Sequence, residues 1–166
     1  MFALAAIRAI VKWLPEAYKN GSNLEARQQM AMAATLAGIA FDQSSLGLVH
    51  ALAGPLCGSY HLHHGLGVAT LLPATLEFDA PAIPADRWVM LRDALALPQA
   101  AKPEVLGEFA RNLLQSLDMP TRLSEVGLTA EQIPAIAESA TKMAMIGMNI
   151  RPADLEDCKR VLEAGL

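Results

Sequence analysis

Between Gly47 and Gly65 the chain reads GLVHALAGPLCGSYHLHHG, which sets two histidines, His50 and His64, fourteen residues apart around a cluster of helix-breaking residues. On one unbroken helix that spacing would separate them by about 21 Å along the axis. Two imidazoles sharing an ion must each come within about 2 Å of it, so a turn has to bring the second segment back toward the first. Gly54-Pro55 and Cys57-Gly58-Ser59 are the residues expected to supply that turn, because proline removes a backbone donor and disfavours helix in the residue before it, while glycine lets the chain reverse. The expectation is one helix over about 44–53 carrying His50 and a second opening near His64 and running to about Phe78, kinked or shortened at Pro73.

The rest of the chain also reads as helix. A first helix is expected over about 2–18, stopping at Asn20-Gly21, with Ser22 or Asn23 capping a second that carries the apolar run Met30–Phe41 as its buried part. Further helices are expected near 85–95, 103–117 and 129–145, with a last one after Pro152, where Asp154, Glu156 and Asp157 suit the positive end of a helix dipole. No hairpin dipeptide separates alternating segments, and there is no internal repeat. The expected fold class is an all-α helical bundle, and residues 1–166 fit a single domain.

The stretch SLGLVHALAGPLCGSYHLHHGLGVATLLP resembles the iron-containing (group III) alcohol dehydrogenases, whose pattern is close to G-L-G-x-x-H-A-x-A-H-x-L-G-G followed by P-H-G-x-x-N-A-x-L-L-P. The likeness extends upstream through AIRAIVKWLPEAYKNGSNLEARQQMAMAATLAGIAF and downstream to the NIRPADLEDCKRVLEAG ending. It implies the C-terminal helical domain of the iron-containing alcohol dehydrogenase and dehydroquinate synthase-like fold, with His50 and His64 as two of four metal ligands. The H-A-x-A and L-L-P signatures favour the iron group over glycerol dehydrogenase or dehydroquinate synthase relatives. In the family an α/β nucleotide-binding domain precedes this region and supplies an aspartate and a histidine ligand. The likeness starts at Met1, so the expectation is a single helical metal-site domain with the N-terminal nucleotide-binding domain absent.

Three positions depart from the family pattern. Gly54 stands where a second histidine usually follows His50 by one helical turn, His63 replaces the proline before the second ligand, and Val68 replaces an asparagine. His61 and His63 extend a histidine cluster that can in principle recruit a metal through either ring nitrogen. Cys57 lies between the two ligand positions, where a thiolate can bind metal and a small filler is the plainer role.

For a complete enzyme the resemblance implies reversible alcohol and aldehyde oxidoreduction linked to NAD(P), with a divalent metal, iron or zinc, polarising the substrate oxygen. NAD(P) would bind only in such a full-length enzyme, because no glycine-rich phosphate loop follows a strand in this chain. The competing expectation is a non-catalytic orphan helical domain or assembly module derived from that family.

Composition bears on the partners. Charged residues make up 18% and apolar residues 53%, so some apolar surface is expected to meet the missing nucleotide-binding domain or a second copy in a homo-oligomer. A net charge of −4 with dispersed lysines and arginines argues against nucleic acid and anionic membrane as partners. Two isolated cysteines, Cys57 and Cys158, point to a reducing cytoplasm rather than a disulfide framework. The opening MFALAAIRAIVKWLP lacks a basic start and carries Arg8 within its apolar run, so it reads as an amphipathic helix rather than an export signal. The run Met30–Phe41 falls short of the roughly twenty residues needed to cross a bilayer. Met143, Met145 and Met148 are expected as core filler, Trp13 and Trp88 as packing residues, and Asp42, Asp79 and Asp86 as solvated or capping carboxylates.

Overall fold

The computed structural model describes all 166 residues as eight α-helices joined by short 3₁₀ turns, with no strand. The helices are α1 (Phe2–Lys19), α2 (Leu24–Ser44), α3 (Leu48–Tyr60), α4 (His64–Asp79), α5 (Ala85–Ala94), α6 (Leu106–Gln115), α7 (Ile133–Thr141) and α8 (Leu155–Ala164). The all-α expectation holds, and no single helix is long and apolar enough to cross a membrane. The chain divides into two compact units, one formed by 1–45 with 83–102 and the other by 46–82 with 103–166.

In the first unit α1 packs along α2, and α5 packs against α1. The buried residues of α1 and α2 are small: Ala6, Ala26 and Ala33 are almost fully enclosed, which lets the two helix backbones approach closely. Asn23 caps α2 by accepting from the Ala26 N–H at 3.1 Å, while its Nδ2 donates to Glu16 Oε1 at 2.9 Å and ties the cap to the end of α1. Trp88 is buried and donates its indole N–H to the Ala101 carbonyl, whereas Trp13 is half-buried with the Lys12 ammonium over its ring. The expected burial of Met30–Phe41 does not occur: only Ala33 in that run is buried, while Met32, Ile39 and Phe41 are exposed. Its apolar residues are spread around the helix, and a helix buries only the faces that have neighbours.

The second unit holds one continuous apolar core. Leu48, Ala51, Leu52, Ala53 and Leu56 of α3 meet Leu71, Ala74 and Phe78 of α4, together with Ile133, Ile136, Ala137 and Ala140 of α7 and Cys158, Val161 and Leu162 of α8. α3 packs on α4 and α7, and α4 on α6 and α8. At about 1.5–3 kcal/mol for each fully buried large aliphatic side chain, this core dominates the stability of the unit. Glu77 of α4 and Arg111 of α6 pair at 2.5 Å across the helix contact.

Several boundaries differ from the sequence expectation, each for a local reason. α2 continues to Ser44, and the break lies at Ser45–Gly47, so α3 starts at Leu48 rather than near residue 44. α3 also runs straight through Gly54-Pro55 to Tyr60. Pro55 is buried among the α3 core residues, and burial of that face outweighs the one hydrogen bond that proline forfeits. The reversal falls instead at His61–His63, where His61 adopts the left-handed conformation (φ 55°, ψ 24°) and the Leu62 N–H reaches back to the Leu56 carbonyl at 3.1 Å. Histidine is among the non-glycine residues that enter that region most readily. Pro73 likewise lies buried inside an unshortened α4. The segment expected as one helix over 129–145 ends at Thr141, and a 3₁₀ turn from Ala144 to Met148 follows, leaving Met143 and Met145 against the core but Met148 60% exposed.

Candidate metal centre

His50 lies in the first turn of α3, with its N–H bonded to the Gly47 carbonyl at 3.1 Å, and His64 is the first residue of α4. The turn at His61–His63 brings their rings together with centroids 5.5 Å apart and planes inclined at 49°. The sequence expectation that these two histidines converge is met, although the turn that achieves it is not the one expected.

The environments of the two rings differ. His50 Nδ1 is buried without a hydrogen-bond partner. A buried polar atom left unpaired costs about 1–3 kcal/mol, so a native protein retains one mainly where it serves a purpose. Burial, and then the neighbouring charge of His64, hold the His50 pKa below the usual histidine value, so the ring is neutral near pH 7 and keeps a lone pair to donate. His64 is exposed, and its Nδ1 lies 3.4 Å from Cys57 Sγ, which leaves Nε2 as the free nitrogen of that ring. A ligand imidazole characteristically engages one nitrogen with the ion and the other with a supporting partner. Cys57 thus stands beside His64, closer to the site than a filler role implies.

His61 and His63 are exposed on either side of the turn. No group of three or more histidine, cysteine, aspartate or glutamate side chains gathers in an arrangement able to enclose an ion. Of the carboxylates considered as ligands, Asp42 is exposed and accepts from Gln43 Nε2, and Asp86 is exposed in the first turn of α5 near Arg87. Asp79, half-buried at the end of α4, accepts from Asn149 Nδ2 at 2.6 Å, and burial raises its pKa against the opposing pull of Asn149 and Arg151.

Gly54 lies one helical turn after His50. A Cβ built there would come within 2.7 Å of Met143 Cε and 3.8 Å of Met143 Sδ. The thioether methyl of Met143 therefore occupies the space that a side chain at 54 would need.

The profile of the Fe-containing alcohol dehydrogenase family, C-terminal, matches residues 1–166, the whole of the chain. The chain belongs to the iron-containing alcohol dehydrogenase family. Among its relatives in that family, it is 29% identical to the NAD-dependent methanol dehydrogenase of Bacillus methanolicus over 99% of this chain and 44% of that protein. It is 36% identical to the 1,3-propanediol dehydrogenase of Citrobacter freundii over 84% of this chain and 37% of that protein. The solved alcohol dehydrogenase from Oenococcus oeni superposes with a TM-score of 0.90 at 32% identity, over 98% of this chain and 44% of the other. This chain thus spans less than half the length of the curated family members it matches, and it corresponds to their C-terminal helical domain.

Reading the sequence alone missed Asn149 and Arg151, which join the ends of α3 and α4 through 2.6–2.9 Å hydrogen bonds. They lie in the quoted ending NIRPADLEDC, but no periodicity or motif marks a side chain whose partner is 101 residues away.

Proposed function

We propose that this chain is the metal-holding helical domain of an NAD(P)-linked alcohol dehydrogenase, with His50 and His64 as two of the metal ligands. The observation that carries the proposal is the convergence of two imidazoles, one with a buried, unpartnered Nδ1 and the other backed at Nδ1 by Cys57. The donor set suits iron or zinc, both of which accept neutral imidazole nitrogen. When bound, such an ion supplies Lewis acidity that stabilises charge on an alcohol or aldehyde oxygen during hydride exchange with the nicotinamide.

The roles of this chain's own residues follow from their places. His50, kept neutral by burial, offers its lone pair without competition from protons at neutral pH. His64 approaches from the opposite helix and is oriented through Nδ1 by Cys57. Met143 over Gly54 gives the adjoining surface an apolar wall. The remaining ligands, the nicotinamide nucleotide and the other half of the substrate cleft would come from a nucleotide-binding domain, so this chain alone binds metal weakly and turns over no alcohol.

Fusing the chain behind a nucleotide-binding domain from a family relative tests the proposal. Alcohol-dependent reduction of NAD or NADP should appear with added iron or zinc, and His64→Ala should remove it. Unchanged activity in His64→Ala would refute the assignment of the site. A well-folded fusion that binds nucleotide but is inactive with every metal would favour a non-catalytic helical module.

A further inference from the structure

The first N–H groups of α3 need partners from outside the helix, and Gly47, at its N-cap, has no side chain to provide one. The partner comes from far along the chain: Asn149 Oδ1 accepts from the Leu48 N–H at 2.9 Å. The same amide turns its Nδ2 the other way, donating to Asp79 Oδ1 at 2.6 Å and to the Arg151 carbonyl at 2.9 Å. Two residues on, Arg151 Nη1 donates to the Phe78 carbonyl at 2.8 Å, and its guanidinium lies 4.1 Å from the centre of the Phe78 ring. A single side chain therefore bonds the first turn of α3 and the last residue of α4, and its segment is pinned to α4 a second time by Arg151. Room for it exists because Gly47 lacks a Cβ, which would stand 2.5 Å from Asn149 Oδ1.

We infer that Asn149 is a positioning residue for the histidine pair: its side-chain amide sets the axial register of α3 on α4 and so places the His50 ring against His64. The argument is one of leverage. Asp79 is the last residue of α4 and His64 the first, so the tie at Asp79 stands about 22 Å from His64, with α4 as the rigid spacer. His50 is two residues beyond the tie on α3. A slip of one residue in how α3 seats on α4 shifts it by about 1.5 Å and rotates it by about 100°, enough to turn the His50 ring away. Apolar packing of the buried α3 face already opposes such a slip, and the bridging amide, with one donor and one acceptor face, adds a directional constraint that satisfies both helices in only one register. The inference rests on the metal-site reading only for what the register is used for.

The test uses the 166-residue chain and its variants. In wild type, nuclear Overhauser contacts between the His50 and His64 ring protons are expected, together with cobalt(II) uptake that His50→Ala and His64→Ala each diminish. Asn149→Ala should lose the ring-to-ring contacts and weaken cobalt(II) binding by about tenfold or more, with helix content by circular dichroism unchanged. The exchange variant Asn149→Asp with Asp79→Asn should recover both readouts: the new carboxylate still accepts from Leu48 N–H, and the new amide at 79 donates to it. A folded Asn149→Ala chain with ring contacts intact overturns the inference, as does an exchange variant that folds but does not restore them. If Asn149→Ala does not fold, the exchange variant is compared with Asn149→Asp alone, and equal ring contacts in the two overturn it. If wild type shows the ring contacts but takes up no cobalt(II), the metal-site reading falls, while the contacts still decide the role of Asn149.

Discussion

Replacing Gly47 by alanine should cost the protein about 2 kcal/mol, and the cost should vanish in a chain that already lacks Asn149. The backbone at Gly47 (φ −120°, ψ −154°) is extended and open to any residue, so the substitution carries no torsional penalty. The penalty arises from contact: the new Cβ would stand 2.5 Å from Asn149 Oδ1 and 3.5 Å from its Cγ. For the methyl to fit, the amide must withdraw, and the 2.9 Å bond from the Leu48 N–H is lost. Leu48 is fully buried, so that N–H finds no water in exchange, and an unsatisfied buried donor costs about 1–3 kcal/mol. In a chain of this size each kcal/mol lowers the melting temperature by about 2–4 °C, giving an expected fall of about 4–8 °C. In an Asn149→Ala background the space is already empty and the donor already unpaired. Alanine then restricts only the unfolded chain and should be neutral or slightly stabilising. Urea midpoints of the four proteins form a double-mutant cycle whose coupling energy should match the whole single-mutant cost. Additive effects, agreeing to within about 0.5 kcal/mol, would show that Gly47 does not exist to admit Asn149.

The two thiols should separate cleanly: Cys158 is buried with its pKa pushed up to about 11 by burial and by Asp157 and Asp154, whereas Cys57 is half-exposed, so a thiol reagent at neutral pH should modify one cysteine in the native protein and two in urea. Leu52→Ala, emptying a fully buried site on α3, should destabilise by about 2–5 kcal/mol in urea titration, and a loss below about 1 kcal/mol would mean that the α3 core is looser than described. Because burial lowers the His50 pKa in the native state, the unfolded chain takes up that proton first as pH falls below about 6.5, so native stability should decline on acidification through that window. His50→Gln should decline less over the same range, and identical pH profiles would remove the desolvated ring from the account.

How much of this was legible in the sequence depends on how local the cause is. The Asn23 cap, the acidic start of α8 and the opening of α4 at His64 are set by residues within one or two turns, and the chain reads correctly there. The convergence of His50 and His64 was legible through the family pattern, since their spacing excludes a single helix. The position of the turn was not. Gly54-Pro55 carries a strong local signal for a break, yet Pro55 packs beside Leu52 and Leu56 in a core assembled from α4, α7 and α8, and that burial keeps the helix intact until His61. The error at α2 runs the other way, because an apolar composition signals burial only where another element lies alongside, and 30–41 presents most of its faces to solvent. Asn149 was beyond local reading altogether, since its meaning lies in two partners that are 70 and 101 residues away.

Gly54 and Met143 join these two kinds of cause at the site itself. Read as sequence, Gly54 is a missing side chain one turn from His50, and Met143 is one of three methionines in an unremarkable stretch. In the fold they are a single feature, since the Met143 methyl stands where the Cβ of residue 54 would be. A helical glycine forfeits about 1 kcal/mol relative to alanine, a cost accepted where something else must occupy the space. What occupies it here is a flexible, polarisable thioether rather than a polar group. An apolar methyl at that place excludes water from the α3 face one turn along from His50, which is the same direction in which burial shifts His50 toward its neutral form. A neutral imidazole is the state that donates to a metal, so the glycine at 54 and the Met143 methyl over it support the ligand role proposed for His50.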